Sequence, residues 1–110
     1  MKQRYDTPGV VVLGSDFKAL GVVRSLGKRG IRCIVIDNIP RSAWFSRYST
    51  RCIKWPGSMD TTAFLDFLLQ VGKKYHLEQW LLYPLQDEVV ALVARHTQQL
   101  ATIYQLVTQD

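Results

Sequence analysis

Residues 9–37 hold a strand, a helix and a second strand within the span of one βαβ unit, and no other feature of the 110-residue chain constrains its fold as much. Gly9-Val10-Val11-Val12-Leu13 is a short β-branched apolar run that stops at Gly14-Ser15-Asp16. A run that is apolar at every position, rather than at every second one, reads as a strand buried on both faces. Phe17, Leu20, Val23 and Leu26 then recur at helical spacing, with Lys18, Arg24, Lys28 and Arg29 on the polar side. Ser15 or Asp16 is placed to cap this helix by accepting from its free N–H groups. Lys28 and Arg29 suit the negative end of the helix dipole, and Gly30 is a natural stop. Ile31 to Ile36 reads as the second strand, ending at Asp37-Asn38. Parallel strands joined in this way need a crossover, which is nearly always right-handed.

The remainder of the chain repeats the alternation. Residues 38–50 carry no long period, and Pro40 and Ser46-Arg47-Tyr48-Ser49 suggest a loop or a single helical turn. Arg51 to Trp55 reads as a third strand closed by Pro56-Gly57. Asp60 is a cap for a second helix whose stripe is Phe64, Leu65, Leu68, Leu69 and Val71. Trp80 to Tyr83 is a fourth strand stopped by Pro84, Asp87-Glu88 opens a third helix, and Ala101 to Val107 is a fifth strand. The predicted order is β-α-β-β-α-β-α-β, which points to a parallel sheet covered on both faces. Residues 1–8 read as a disordered or extended tail and residues 9–110 as one domain. A fifth strand with no helix after it leaves part of one sheet face uncovered, so a further domain is expected to follow.

Composition narrows the functional classes. With 47% apolar and 21% charged residues, the chain can bury a core. It holds no apolar run of the roughly 18–20 residues that a membrane span needs, and no secretory signal at its start. Cys33 and Cys52 lie in apolar segments without metal or redox spacing, which suits a reducing, cytoplasmic setting. The net charge of +5 is uneven: residues 1–54 carry eleven Lys/Arg against three Asp/Glu, and residues 55–110 three against six. The basic half lacks the dense cation–aromatic interleaving of a nucleic-acid binder, so a solvated surface or an anionic small ligand is the better reading.

Ligands of open parallel sheets sit beyond the carboxyl ends of the strands. That rule puts Gly14-Ser15-Asp16, Asp37-Asn38, Pro56-Gly57 and Leu85-Gln86-Asp87-Glu88 on one rim. A dinucleotide fingerprint would be Gly-x-Gly-x-x-Gly. The frame here gives Gly14, Asp16 and Ala19, with an acid where the pyrophosphate would approach. Asp37 does lie about twenty residues on, where a ribose-binding acid belongs. Asp87 and Glu88 point about 100° apart on a helix and form no acid/base pair by themselves. His76 and His96 fall near helix ends and show no metal spacing. No serine has a recognisable base, and neither a nucleophile elbow nor a Walker loop is present. Trp44, Phe45 and Tyr48, beside Arg41 and Arg47, are placed to pack under a neighbouring domain or over a ligand.

Three segments carry a family resemblance. Leu13-Gly14 with Ala19-Leu20-Gly21-Val22-Val23-Arg24-Ser25-Leu26-Gly27 and Arg29-Gly30-Ile31 resembles the opening of ATP-grasp ligases. Ser46-Arg47-Tyr48-Ser49 and Pro84-Leu85-Gln86-Asp87-Glu88 follow where those proteins carry similar stretches. The likeness runs from Gly9 to Val107 and is to the N-terminal, pre-ATP-grasp domain alone. It implies an α/β fold: an open, mostly parallel, five-stranded Rossmann-like sheet with helices on both faces. It implies the substrate-side domain of an enzyme that joins a carboxylate to an amine-type nucleophile through an acylphosphate. Gly14, Ser15, Asp16, Asp37, Gln86, Asp87 and Glu88 are then the substrate-binding candidates on the strand-end loops. No catalytic, cofactor or metal residue is expected in this domain. ATP and Mg2+ belong to the full-length protein, whose downstream ATP-grasp domain is the expected partner, and a homo-oligomer stays open. These residues alone should not turn over substrate. The alternative is a free-standing Rossmann-type nucleotide-binding or interaction module. A signalling receiver is excluded, because Trp55-Pro56-Gly57 supplies no phospho-acceptor Asp after the third strand.

Overall fold

The computed structural model describes residues 7–106. The expected N-terminal tail therefore lies almost wholly outside the described residues, as does Val107. Five strands form one all-parallel sheet in the order β3-β2-β1-β4-β5. They are β1 Val10–Leu13, β2 Cys33–Asp37, β3 Ser49–Lys54, β4 Leu81–Pro84 and β5 Gln105–Leu106. The helices are α1 Phe17–Lys28, α2 Thr62–Lys74, α3 Asp87–Arg95 and the short α4 Thr97–Leu100, with a 3-10 turn at Ser42–Phe45. The chain is thus an α/β protein with an open, Rossmann-like sheet.

The order explains the two layers. The chain steps outward from β1 to β2 to β3, then returns to lay β4 against the other side of β1 before stepping to β5. Crossovers of one hand must change face when the direction of stepping reverses. Accordingly α1 and the 3-10 turn pack on the face of Val10, Val12, Cys33 and Val35 through Ala19, Val23 and Ala43. Helices α2, α3 and α4 pack on the face of Val11, Leu13, Ile34, Ile36 and Leu82, through residues such as Phe64, Leu68, Leu92 and Leu100. Every residue of β1 and β2 is buried, which is why both strands read as continuous apolar runs. Opposite β4, the α1 face has less cover: Leu81, Tyr83 and Leu85 are half-buried and Gln105 is exposed.

Local signals set most element ends. Asp16 accepts from the Ala19 N–H at 3.1 Å and caps α1. Past its end, Gly30 (φ +80°) lets Ile31 N–H reach Leu26 O and Gly30 N–H reach Gly27 O, the paired bonds of a Schellman turn. Four expectations need correction. Helix α2 is capped by Thr61, whose Oγ1 accepts from Phe64 N–H at 3.2 Å, because the expected cap Asp60 is engaged by the Ser58 hydroxyl. Strand β3 begins at Ser49 rather than Arg51, with a bulge at Thr50, whose Oγ1 accepts the Cys33 N–H at 3.2 Å. Phe17 does not join the buried stripe of α1: at the helix's first position it lies past the sheet edge and is 81% exposed. Most of the predicted strand over 101–107 is the turn that follows α4, and among the described residues β5 covers only Gln105–Leu106. Leu100, Ile103 and Tyr104 are buried at spacings of three and four, a helical period that outweighs alternation there.

Tyr104 fastens this last segment. Its hydroxyl donates to Leu68 O at 2.6 Å, and burial pushes its pKa up. Gly72 makes room for it, since a Cβ there would sit 2.7 Å from Ile103 Cγ2 and 2.9 Å from Tyr104 Oη. Gly72→Ala therefore separates packing from helix propensity. Propensity favours alanine by about 1 kcal/mol, whereas overpacking costs roughly 1–3 kcal/mol. We expect a lower urea midpoint, and a higher one would show that propensity dominates. Burial raises the Cys33 thiol from 9.0 to about 11. The unfolded thiol then ionises first, so this contribution to stability is present below pH 9 and is lost as the pH rises towards 11. Iodoacetamide at pH 8 should spare Cys33 in the native protein and modify it in urea; rapid native labelling would contradict its burial.

Candidate functional site

Strand order reverses between β1 and β4, and an open sheet parts at such a point beyond its carboxyl ends. Leu13 pairs with Pro84, so Gly14–Phe17 and Leu85–Glu88 leave the sheet side by side. Gly14 makes the turn at φ +131°, a conformation that side chains rarely allow, while its N–H still donates to Ile36 O at 2.8 Å. A Cβ on Gly14 would come to 3.9 Å from Leu85, so the two loops touch at their roots. Helices α1 and α3 both start at this crevice, one on each face of the sheet.

The crevice is acidic. Asp16 is half-buried as the α1 cap, and Asp87 and Glu88 are exposed in the first turn of α3. Gln86 is the α3 cap residue but makes no side-chain cap bond. Residues 14–17 and 85–88 include three carboxylates and no cation, with Lys18 the next residue along α1. Carboxylates favour the positive helix ends on which they sit, and they leave the crevice better suited to a cationic group than to a phosphate.

Ser15 and Asp37, also expected on this rim, are there but face inward. Both are 0% exposed. Ser15 Oγ donates to Asp37 Oδ2 at 2.6 Å, lies 3.2 Å from Ile39 O and accepts from Arg41 N–H at 3.0 Å. The Arg41 guanidinium donates to the same Asp37 oxygen at 2.9 Å, and Asn38 N–H donates to Asp37 Oδ1 at 2.7 Å. Ala43 N–H donates to Ser15 O at 2.8 Å. A buried carboxylate is tolerated only when paired and hydrogen-bonded, and here its partners are the ends of β1 and β2 and the loop between β2 and β3. The side chains of Ser15 and Asp37 are used in holding that loop. A dinucleotide would need the Asp37 carboxylate free for a ribose hydroxyl, and these contacts occupy it. At β3, Asn38 Nδ2 donates to Gly57 O at 3.0 Å and closes the far end of the rim.

Two further groups came into view only in three dimensions. Phe17, Ile39 and Phe45 are the large apolar side chains exposed among the described residues: Phe17 starts α1 and Ile39 follows β2, beyond the carboxyl ends of their strands, while Phe45 ends the 3-10 turn between β2 and β3. A second concavity lies between α1 and residues 42–48. The aromatics named from the loop divide: Trp44 and Tyr48 pack against the core and Phe45 does not. His76 occupies the left-handed position after α2, and His96 is the C-cap of α3. Among the described residues no three His, Cys, Asp or Glu side chains come together as a metal site. No helix among them is long and apolar enough to cross a membrane. No known protein family matches the chain, and no curated protein does.

The Asp37 cluster makes a direct prediction. Asp37→Ala takes the carboxylate partner from the buried Ser15 hydroxyl and the Asn38 amide, while the Arg41 guanidinium, 37% exposed, can turn to water, so the change should cost about 1–3 kcal/mol. Denaturant unfolding measures it, and a loss under about 1 kcal/mol would show that the carboxylate does not hold the loop.

Proposed function

We propose that this domain is the substrate-side wall of an ATP-grasp-type ligase, and that it receives the amine-type nucleophile in the crevice between β1 and β4. The observation that carries the reading is the polarity of that crevice: Asp16, Asp87 and Glu88 lie on the two segments that border it, with no cation within residues 14–17 or 85–88. Three carboxylates attract and orient an ammonium group through charge-assisted hydrogen bonds. The segments that resemble ATP-grasp ligases supply these same loops, around Gly14 and around Gln86-Asp87-Glu88. In this reading Gly14 gives close backbone approach, Gln86 offers an uncommitted amide, and Ser15 and Asp37 position the neighbouring loop rather than touch substrate. ATP and Mg2+ belong to a further domain of the same protein. Phe17 and Ile39 suit a rim covered by that domain. The unpaired, burial-raised thiols of Cys33 and Cys52 fit a cytoplasmic protein. A nicotinamide-binding module is the weaker reading because of Asp16 and the engaged Asp37 carboxylate.

An amide NMR titration tests this reading. Amino acids with a free ammonium should shift Gly14, Asp16, Asp87 and Glu88, and their N-acetyl forms should not. Asp87→Asn should weaken binding about tenfold, the equivalent of one charge-assisted hydrogen bond of about 1.5 kcal/mol. Shifts with NAD centred on Gly14–Phe17, or ATP hydrolysis by the chain that is lost on changing Asp16 or Asp87, would overturn the assignment.

A further inference from the structure

The concavity beside α1 has the opposite character to the crevice and shares no residue with it, so its role is independent of the ligase reading. It is an open groove of about 530 Å³ between α1 and the segment 42–48, a volume within the range of small-molecule sites. Leu20, Arg24 and Lys28 form one wall, four residues apart along one side of α1. The other wall brings Ser42, Phe45, Ser46, Arg47 and Tyr48. No carboxylate is among these lining residues. Arg24, Lys28 and Arg47 form no salt bridge among the described residues, where the ion pair present is Arg41–Asp37. Like charges four apart on a helix repel each other, and no acidic side chain lining the groove offsets that repulsion.

The walls are also fixed. Tyr48 packs directly on α1, for a Cβ on Gly27 would fall 2.5 Å from the Tyr48 ring carbon Cδ1. Arg47 is held over that ring at 4.9 Å from its centroid and donates to Tyr48 Oη at 2.9 Å. Residue 45, at the rim of the same groove, is a phenylalanine left 78% exposed. Two guanidiniums and an ammonium around a hydroxyl-bearing floor match phosphate oxygens in charge and geometry. An aromatic face beside them matches a planar base. We propose that this groove binds a mononucleotide, with its di- or triphosphate among Arg24, Lys28 and Arg47 and its base against Phe45. The event is binding alone, with no covalent step. One exposed aromatic, with the Tyr48 ring already covered by Arg47, and one short groove fit a single nucleotide rather than a strand, which needs a row of stacking residues.

Amide NMR and calorimetric titrations of the chain test this proposal with ADP, GDP, inorganic tripolyphosphate and a single-stranded oligonucleotide. A nucleoside diphosphate should shift residues 20–28 and 42–48 and leave 85–88 unmoved. Its affinity should fall about tenfold in Arg24→Gln and in Arg47→Gln, and should weaken with added salt. Phe45→Ala should remove the advantage of the nucleotides over tripolyphosphate. These three residues are exposed, so the variants should fold, and circular dichroism checks this. Equal affinity of wild type and Arg24→Gln, or no shift at millimolar nucleotide, overturns the site. Tripolyphosphate binding as tightly as the nucleotides in the wild type overturns the role of the base, and binding of the oligonucleotide alone overturns the nucleotide assignment.

Discussion

The rest of the molecule is arranged around one strand of four residues. Val10–Leu13 is buried on both faces and pairs with β2 on one side and β4 on the other. A strand in that position must satisfy its backbone groups laterally and its side chains above and below, because water reaches neither. Two helical layers are therefore needed to cover it, and the change of stepping direction supplies them, α1 to one face and α2 with α3 to the other. The same change of direction leaves Gly14 at the mouth of the crevice. Placement of the site and stability of the core thus follow from one topological fact.

The second constraint is electrostatic. Burying Asp37 without partners would cost several kcal/mol. The chain offsets this with Ser15, Arg41 and the Asn38 amide, which draw the loop after β2 back onto the end of β1. The carboxylate is thereby unavailable to a ligand. The acid at the end of the second strand, which in a dinucleotide-binding sheet faces the ribose, here faces the protein. The other charged side chains near the strand ends and α1 are sorted by sign: carboxylates at the crevice and cations in the groove along α1.

Much of this was legible in the residues, and the failures share a cause. The β1-α1-β2 unit was plain because three independent signals agreed: apolar runs, the Asp16 cap and the Gly30 stop. Strand order was not stated by any residue, because pairing is decided by contacts between segments far apart in the chain. The fifth strand was overestimated because Ile103-Tyr104 is β-prone locally, while packing against Gly72 and Leu68 holds it as a turn. Phe17 fits the period of α1 but not its burial, since periodicity says which side a residue faces and not whether the sheet extends beneath it. The groove had a faint signal in the four-residue spacing of Leu20, Arg24 and Lys28, and Arg47 joins them only through the close approach of Tyr48 to Gly27.

The sequence by itself determined the alternation of strands and helices, the burial of the central strands and the rim on which polar residues gather, for these follow from period, capping and turn chemistry within a few residues. Tertiary structure alone decided which polar residues are sealed inside and which stay open to solvent. Ser15 and Asp16 are polar neighbours, yet one is sealed against Asp37 and the other stays half-buried as the cap of α1. That choice depends on whether a partner from β2 and its loop arrives to satisfy the buried group, and only the folded chain brings it there.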